Sequence, residues 1–528
     1  MKSFAHRRAA LPVLGCLAAA SMPLCAQQLA QPASGVVQPS PVPQLEQTSA
    51  SQPTTFVEAK LTLGQTITSN VALKSGGDSD AITRISPGLY VSSHSGRVQG
   101  FLNYALAGVA YARTSGSNSL NHQLSANASA ELLERRAYID AKASIMQQAV
   151  NPLGVDSEDS QLGRSNRSEV RTVQLAPRVE GRLGDLANWD ASVSHRATHS
   201  VSASSSDSSS TQWRLQVGNA AQQRTTTSWT AQLSHNVQDF SLGRRTANDI
   251  ARGVVDWRFA QDVFAGVIAG YESSDVASED MQGRATYGLR AGWAPSERTN
   301  LFAETEKRFF GNAHTLRFSH RMARSLVSYS DTRTISYGLG QPLTVGHSTV
   351  YDFFDQLYTS SEPDASAREA KVLQVLRDNG YSATDATNLL PAFLSSSVTL
   401  QRAQQMTYGW TGVRDTFTVS LQQTTGRRVD NREVFGDPFS VNSGIRQRGL
   451  SMSLAHRLTP LSTLTLGLTQ RRSIGDVNSS KLRSMTAQLS TKLGPRTSFS
   501  LLARRASSKG SSQPYTESAL VCTFAMTF

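Results

Sequence analysis

The chain has 528 residues, 39% of them apolar and 17% charged, with a formal net charge of +12 and a mean hydropathy of −0.31. A single soluble core seldom grows past about 250 to 300 residues, and the Ser, Thr, Gln, Asn, Gly and Ala that dominate here are unusual material for a large one. Beyond the N-terminal segment no run approaches the roughly 20 consecutive apolar residues of a membrane helix, which excludes a helical inner-membrane protein. A membrane β-barrel escapes that limit, because its strands need only about 9 to 11 residues with every second one apolar.

In chain order, Met1-Lys2 and Arg7-Arg8 precede an apolar run from Ala9 to Leu24, closed by Ala26 before Gln27-Gln28. This is the layout of a secretory signal peptide over residues 1–26, cleaved after Ala20 or after Ala26. A lipoprotein signal at Val13-Leu14-Gly15-Cys16 is the alternative, with a shorter apolar run than the template. Cys16 and Cys25 lie in the leader, so the mature chain keeps only Cys522 and forms no internal disulfide. Loss of Lys2, Arg7 and Arg8 leaves a charge of +9, which suits either polyanion attraction or ordinary solvated loops. Residues 27–54, rich in Pro, Gln and Ser, cannot bury a core and read as a disordered periplasmic linker.

From about Thr55 to the end, runs of about ten residues alternate with period two, as strands with one apolar face do. Leu464, Leu466 and Leu468 stand against Thr463, Thr465, Gly467 and Thr469; Phe417, Val419 and Leu421 against Thr416, Thr418 and Ser420; Met485, Ala487 and Leu489 against Ser484, Thr486, Gln488 and Ser490. Short connections near Ser95-Gly96, Glu134-Arg135, Gly184-Asp185, Ala260-Gln261, Pro295-Ser296, Ala323, Val413-Arg414, Thr459-Pro460 and Gly494-Pro495 take turns with longer polar loops. Outer-membrane barrels join their strands in that way. The expected fold is all-β: a transmembrane antiparallel up-and-down β-barrel over 55–528 of roughly 22 strands, with 18 to 24 compatible. Pro177 cannot donate to a ladder, so a bulge or strand end is expected there.

Residues 336–397 break the pattern and form a long, partly helical insertion, a lid over the outer mouth or a plug folded into it. Ser361 before Pro363, with Val372, Val375 and Leu376 and a stop at Gly380, predicts one helix; Ser382 with Asp385, and Leu389 before Pro391, predicts a second. At the C-terminus Leu520, Cys522, Phe524, Met526 and Phe528 alternate with small and polar residues, resembling the signal by which barrel proteins are recognised for assembly; Phe524, Met526 and Phe528 carry it.

If the apolar set of each strand meets lipid, the opposite set lines the lumen. It gathers Lys142, Arg178, Arg182, Arg196, Arg258, Arg290, Arg317 and Lys492 with Asp140, Glu180, Asp190, Asp256, Glu304 and Glu306. These charges suit either a path for a polar solute or a salt-bridged wall. Tyr90, Tyr104, Tyr111, Trp189, Trp257, Trp293, Tyr408 and Trp410 fall near strand ends or on lipid-facing positions, as interfacial girdles do, with sugar stacking as the alternative. No zinc, nucleophile-elbow or phosphate-loop motif occurs. His195 and His199, four apart, are on one face of a strand some ~13 Å apart, too far to share a metal. No catalytic residue, cofactor or metal is expected.

The segments Thr62-Leu63-Gly64-Gln65-Thr66-Ile67-Thr68-Ser69-Asn70-Val71, Asp80 to Gly88, and Asn121 to Leu124 followed by Ala130-Glu131-Leu132 resemble the opening of the PEP-CTERM system-associated outer-membrane proteins. The stretch Leu390 to Leu394 through Val398 to Gln401-Arg402 and Arg414-Asp415-Thr416 is similar to a second block of that family. Gln65 departs from it, standing where an acidic residue is common. The resemblance implies a Gram-negative outer-membrane barrel tied to exosortase and exopolysaccharide systems, and it brings no catalytic residue. The function expected on this basis is exopolysaccharide secretion or assembly, as conduit or accessory subunit. A general diffusion porin is the alternative and an outer-membrane hydrolase the second. The expected partners are outer-membrane lipid, the barrel-assembly machinery and polysaccharide export components, with no nucleic acid.

Overall fold

The computed structural model describes residues 55–201, 206–219, 226–337, 350–379, 390, 392–430, 434, 436–510 and 513–528. The expected leader, the linker and the helix expected from Ser382 lie outside the described residues. The first half of the wall comprises β1 Thr55–Thr68, β2 Asp80–His94, β3 Val98–Tyr111, β4 Ser119–Leu133, β5 Ala137–Ala149, β6 Arg167–Leu183, β7 Ala187–Ser200, β8 Ser208–Gly218, β9 Thr227–Phe240, β10 Thr246–Ala260 and β11 Val263–Ser274. The second half comprises β12 Gln282–Ser296, β13 Thr299–Arg308, β14 Gly311–Arg321, β15 Ser325–Ser336, β16 Thr399–Thr411, β17 Asp415–Arg428, β18 Gly444–Arg457, β19 Ser462–Ile474, β20 Ser479–Gly494, β21 Thr497–Gly510 and β22 Tyr515–Thr527. Two helices, α1 Val350–Tyr358 and α2 Ala365–Asn379, stand between β15 and β16.

Each strand pairs antiparallel with its sequence neighbours, and β22 closes on β1 from Lys60↔Thr527 to Thr68↔Ala519. The fold is thus a closed, 22-stranded up-and-down barrel, as the alternation predicts. Closure removes the edges that an open sheet of this size would expose. The register carries the alternation around the wall: Met452, Leu468 and Met485 sit opposite one another in one row, Leu454, Leu466 and Ala487 in another. These rows face outward, with Met485 64% and Leu466 45% exposed. So much uncovered apolar surface is stable only against hydrocarbon. The protein lies in the outer membrane.

Two connections escape sequence reading. The one between β13 and β14 is only Phe309 and Phe310, too short and too apolar to resemble an outer loop. The other, between β8 and β9, runs through residues 219–226, six of which are not described. Pro177 causes neither a bulge nor a strand end. It pairs with Ile139 on β5, while on the β7 side pairing skips from Leu175↔His195 to Arg178↔Ser192 without a change of register. The missing N–H is absorbed as a gap in one ladder, and Pro87 leaves the same gap between β2 and β3. Of the proposed girdle aromatics, Tyr90 and Tyr111 lie on the inner face, paired with Glu58 and Ile82; the other six face outward.

Candidate functional site

The inner face follows from Gly409, which touches the helices inside the barrel, and from the register that carries its parity from strand to strand. The register puts Asp140, Lys142, Arg178, Glu180, Arg182, Arg196, Asp256, Arg258, Arg290, Glu304, Glu306 and Arg317 on that inner face, together with Asp190 and Lys492. All but Lys492, which stands apart on β20, fall in two groups. On β10 to β14, Arg252 reaches Glu304 at 2.7 Å and Glu306 at 2.9 Å, Arg290 grips Asp256 with two nitrogens, and Arg308 grips the fully buried Glu272. This group is a cross-braced wall, each buried charge answered by another.

On β5 to β8, Arg178 lies over the Tyr138 ring at 4.3 Å, with Glu180 at 2.6 Å and Asp140 at 3.5 Å. Beside it Lys142, Gln174 and Arg196 share one row, and Arg196 donates to Gln174 Oε1 at 2.6 Å. Arg214 stands one strand further, opposite Ser192. Among the described residues no carboxylate lies within ion-pair distance of Lys142, Arg196 or Arg214. Arg182 is exposed at the periplasmic rim, next to the β6–β7 turn. Sequence reading did not include Arg214, Arg252, Glu272 and Arg308, although each occupies the inner parity of its strand; only for Arg252, between Ala251 and Gly253, do small outward neighbours weaken the contrast.

The outer end is crossed twice. Residues 150–166, which join β5 to β6, fold inward to the far wall formed by β19 to β22. There Asp156 meets Arg471 at 3.2 Å, Asp159 meets Arg504 at 3.2 Å, and Glu158 accepts from Ser484 at 2.6 Å. Tyr111 and Tyr515 donate to the carbonyl oxygens of Gln161 and Asp156 at 2.6 and 2.5 Å. Leu162 seals the contact in an apolar cluster with Leu73, Ile82, Tyr111, Leu482 and Tyr515.

The second crossing is the return limb of the long insertion. Leu394 N donates to Ala149 O at the outer end of β5, Val398 N to Asp430 at 3.3 Å, and Ser396 N to Asp437. Leu394 and Val398 pack with Val170, Phe240 and Val276. Burial pushes the Asp437 carboxyl up, against the hydrogen bonds from Phe439, Ser396 and Ser395 that hold it down. Burial likewise raises Asp430.

The helices go deeper. Asp364 Oδ1 caps α2 by accepting from Ala367 N at 2.7 Å, one turn later than the expected Ser361 start, while α1 was not anticipated. Phe353, Phe354, Leu357 and Tyr358 of α1 pack with Val372, Val375 and Leu376 of α2 and with Leu326 of the wall. Tyr358 Oη lies 3.3 Å from Thr416 Oγ1, at the β16–β17 turn on the periplasmic side. All of these wall partners are on the inner face, so the insertion starts outside and ends inside, near the periplasmic exit. Each fully buried Leu or Phe contributes roughly 1.5–3 kcal/mol to that seat.

Gly409 is required there. A Cβ on it would lie 2.6 Å from Phe353 Cζ and 3.0 Å from Leu357 Cδ2. Replacing Gly409 with Val should therefore unseat α1 while leaving the strand register intact, read as faster hydrogen exchange over 350–358 with unchanged exchange in β16.

His195 and His199 face outward, toward Thr211 Oγ1 at 2.9 Å and Asp207 at 2.8 Å, and share no ligand. Among the described residues no cluster of metal-ligating side chains occurs.

Neither a protein-family model nor a curated protein matches the sequence. Solved structures do match. The FrpB iron transporter from Neisseria meningitidis (F5-1 variant, apoprotein form) is 9% identical with a TM-score of 0.47, covering 89% of this chain and 81% of that one. The siderophore receptor PirA from Pseudomonas aeruginosa is 8% identical with a TM-score of 0.42, covering 90% and 81%. The alcaligin outer-membrane receptor FauA from Bordetella pertussis is 10% identical with a TM-score of 0.41, covering 89% and 76%. At such identities the likeness is one of architecture.

The expected exopolysaccharide conduit or accessory subunit, with polysaccharide export components as partners, is corrected here, and so is the porin alternative. Two inward-folded segments cross a lumen that a polymer conduit or diffusion porin would hold open. What stands is a 22-stranded barrel of the Gram-negative outer membrane, set among outer-membrane lipid.

Proposed function

We propose that the protein is a gated outer-membrane transporter for a small polar ligand, closed at rest by its own insertion. The observation that carries this reading is the α1–α2 pair seated inside the lumen against β15 to β17. Passage requires that segment to move, so transport is coupled to a conformational change rather than to free diffusion. Lys142, Arg196 and Arg214, with no carboxylate within ion-pair distance among the described residues, favour an anionic ligand on the β5–β8 side of the wall. The proposal assigns the protein no chemical step.

The test compares periplasmic small molecules, by mass spectrometry, in a strain lacking the gene and in its complemented counterpart. A small anionic solute that falls in the first and recovers in the second is expected; indistinguishable profiles overturn the proposal. Kinship with the PEP-CTERM system-associated proteins is kept as a proposal about descent alone.

We also propose that Phe524, Met526 and Phe528 form the signal read by the barrel-assembly machinery. Phe524 pairs with Leu63 and Phe499 on the outer face, and Phe528 N donates to Ala59 O at 2.8 Å. Deleting Phe528 removes one hydrogen bond, worth about 1 kcal/mol. The purified chain should then refold normally in detergent, while its yield in the outer membrane falls severalfold.

A further inference from the structure

The outer face of β17 to β21 carries a charge pattern that no lumen function uses. These five consecutive strands hold one carboxylate among the described residues, Asp415, which lies at the periplasmic end beside His456. At the other end, Arg448 is opposite Arg472, Arg472 opposite Lys481, and Lys481 opposite Lys509, one row across four strands. Neighbouring strands are about 4.8 Å apart, and like charges directly opposite destabilise a sheet. Arg446, Arg483 and Arg505 extend the patch one or two positions above and below. Among the described residues none of these seven cations has a carboxylate within ion-pair distance. Arg448, Arg483 and Arg505 reach only Gln423, Gln470 and Ser518. Asp476 in the adjoining loop is engaged by Ser443.

The opposite arc is built differently. On β6 to β10 the outward-facing Arg171 meets Glu169, and the imidazoles of His199 and His235 lie against Asp207 and Asp249. The unbalanced row also has a fixed height. Directly below it lie Leu450, Gln470, Arg483 and Ser507, and in the next row Met452, Leu468 and Met485 begin the hydrocarbon-facing band. A cation row at that level stands where the headgroups of the outer leaflet lie.

We infer that Arg448, Arg472, Lys481 and Lys509 form a docking surface for the phosphate groups of a phosphorylated glycolipid of the outer leaflet, its acyl chains lying along the apolar rows below. The row offers several guanidinium and ammonium donors to one polyanion, and the lipid supplies the negative charge that the sheet lacks. The inference goes beyond the transport reading and does not depend on it.

Native mass spectrometry of the detergent-solubilised full chain, titrated with bis-phosphorylated and with dephosphorylated lipid A, tests it. Wild-type protein should prefer the phosphorylated lipid by roughly tenfold or more, a preference that falls as salt rises. The R448Q/R472Q/K481Q/K509Q variant should bind the two lipids within about twofold of each other, and R171Q, on the neutralised arc, should keep the wild-type preference. Heat-modifiable electrophoretic mobility reports whether the barrel is folded; should the quadruple variant not fold, R472Q/K481Q is read in its place. A preference that survives the substitutions, or wild-type protein that binds both lipids alike, overturns the inference. So does displacement of the lipid by millimolar inorganic phosphate, or equally tight binding of a soluble acidic polysaccharide.

Discussion

Deleting residues 350–379 and closing the gap with a short Gly/Ser linker is expected to raise ion conductance in planar bilayers by roughly tenfold or more, because a wide barrel with nothing folded into it leaves an aqueous channel. The wall itself should survive. β15 and β16 pair directly from Ser325↔Trp410 to Ser336↔Thr399, and no ladder hydrogen bond passes through the helices. What disappears is the cluster of Phe353, Phe354, Leu357, Tyr358, Val372, Val375 and Leu376, leaving Leu326 as its one wall member in a watery lumen. An uncovered Leu costs about 1.5–3 kcal/mol, small against the many rows that close the barrel. The deletion variant should therefore keep its strand content by circular dichroism and its heat-modifiable mobility. Unchanged conductance in a folded variant would mean that the helices do not gate the lumen.

The second large effect is expected at Arg504. Its guanidinium is 6% exposed and holds both Glu517, 1% exposed, at 2.9 Å and Asp159 of the inward loop at 3.2 Å. Replacing Arg504 with Ala strands Glu517, which then keeps only the hydrogen bond from Thr68 Oγ1 at 3.0 Å. Breaking a buried pair by removing one partner costs about 3–5 kcal/mol, most of it the uncompensated charge left behind. Two readouts separate the consequences. Urea unfolding of the refolded barrel reports the lost stability, and hydrogen exchange over 150–166 reports release of the loop. R504L/E517L, which removes both charges, should recover most of the stability and leave the loop exchange fast, since Asp159 still lacks its partner. Full stability in the single Ala variant would show that water reaches Glu517 and screens it.

Much of the architecture is written in the local pattern. Period-two alternation is a property of each strand alone, so Leu464, Leu466 and Leu468 announce both a strand and its lipid face, and Phe528 closes the last one. Short turns against long loops give orientation for the same reason. Reading failed where local pattern is ambiguous. Phe309 and Phe310 connect β13 to β14 with only Gly311, at φ 102°, as turn chemistry, and α1 is short, its one sequence signal being Thr349 with Asp352 three residues on. Arg504 and Arg505 are adjacent, so residue type cannot say which faces the lumen; only pairing with Ala519 and Ser518 decides it. The crossings were illegible for a different reason. Asp156, Glu158 and Asp159 lie more than 300 residues from Arg471, Ser484 and Arg504, and no spacing rule connects partners that meet only after the barrel has closed. The cation row on β18 to β21 belongs to the same class: each Arg or Lys lies unremarkably in the outer part of its own strand, and the pattern exists only across strands.

The central claim, that a segment entering from outside is seated inside the lumen near the periplasmic exit, can be tested by labelling at position 361. Ser361 is exposed and lies just past α1, one turn from Tyr358 and its contact with Thr416. A Ser361→Cys chain in a Cys522→Ser background, treated with a polyethylene-glycol maleimide too large to cross the outer membrane, should stay unlabelled in intact cells. It should label readily in isolated outer membranes, where the periplasmic face is open. Equal labelling in intact cells and in isolated membranes would place the segment on the cell surface and contradict the account.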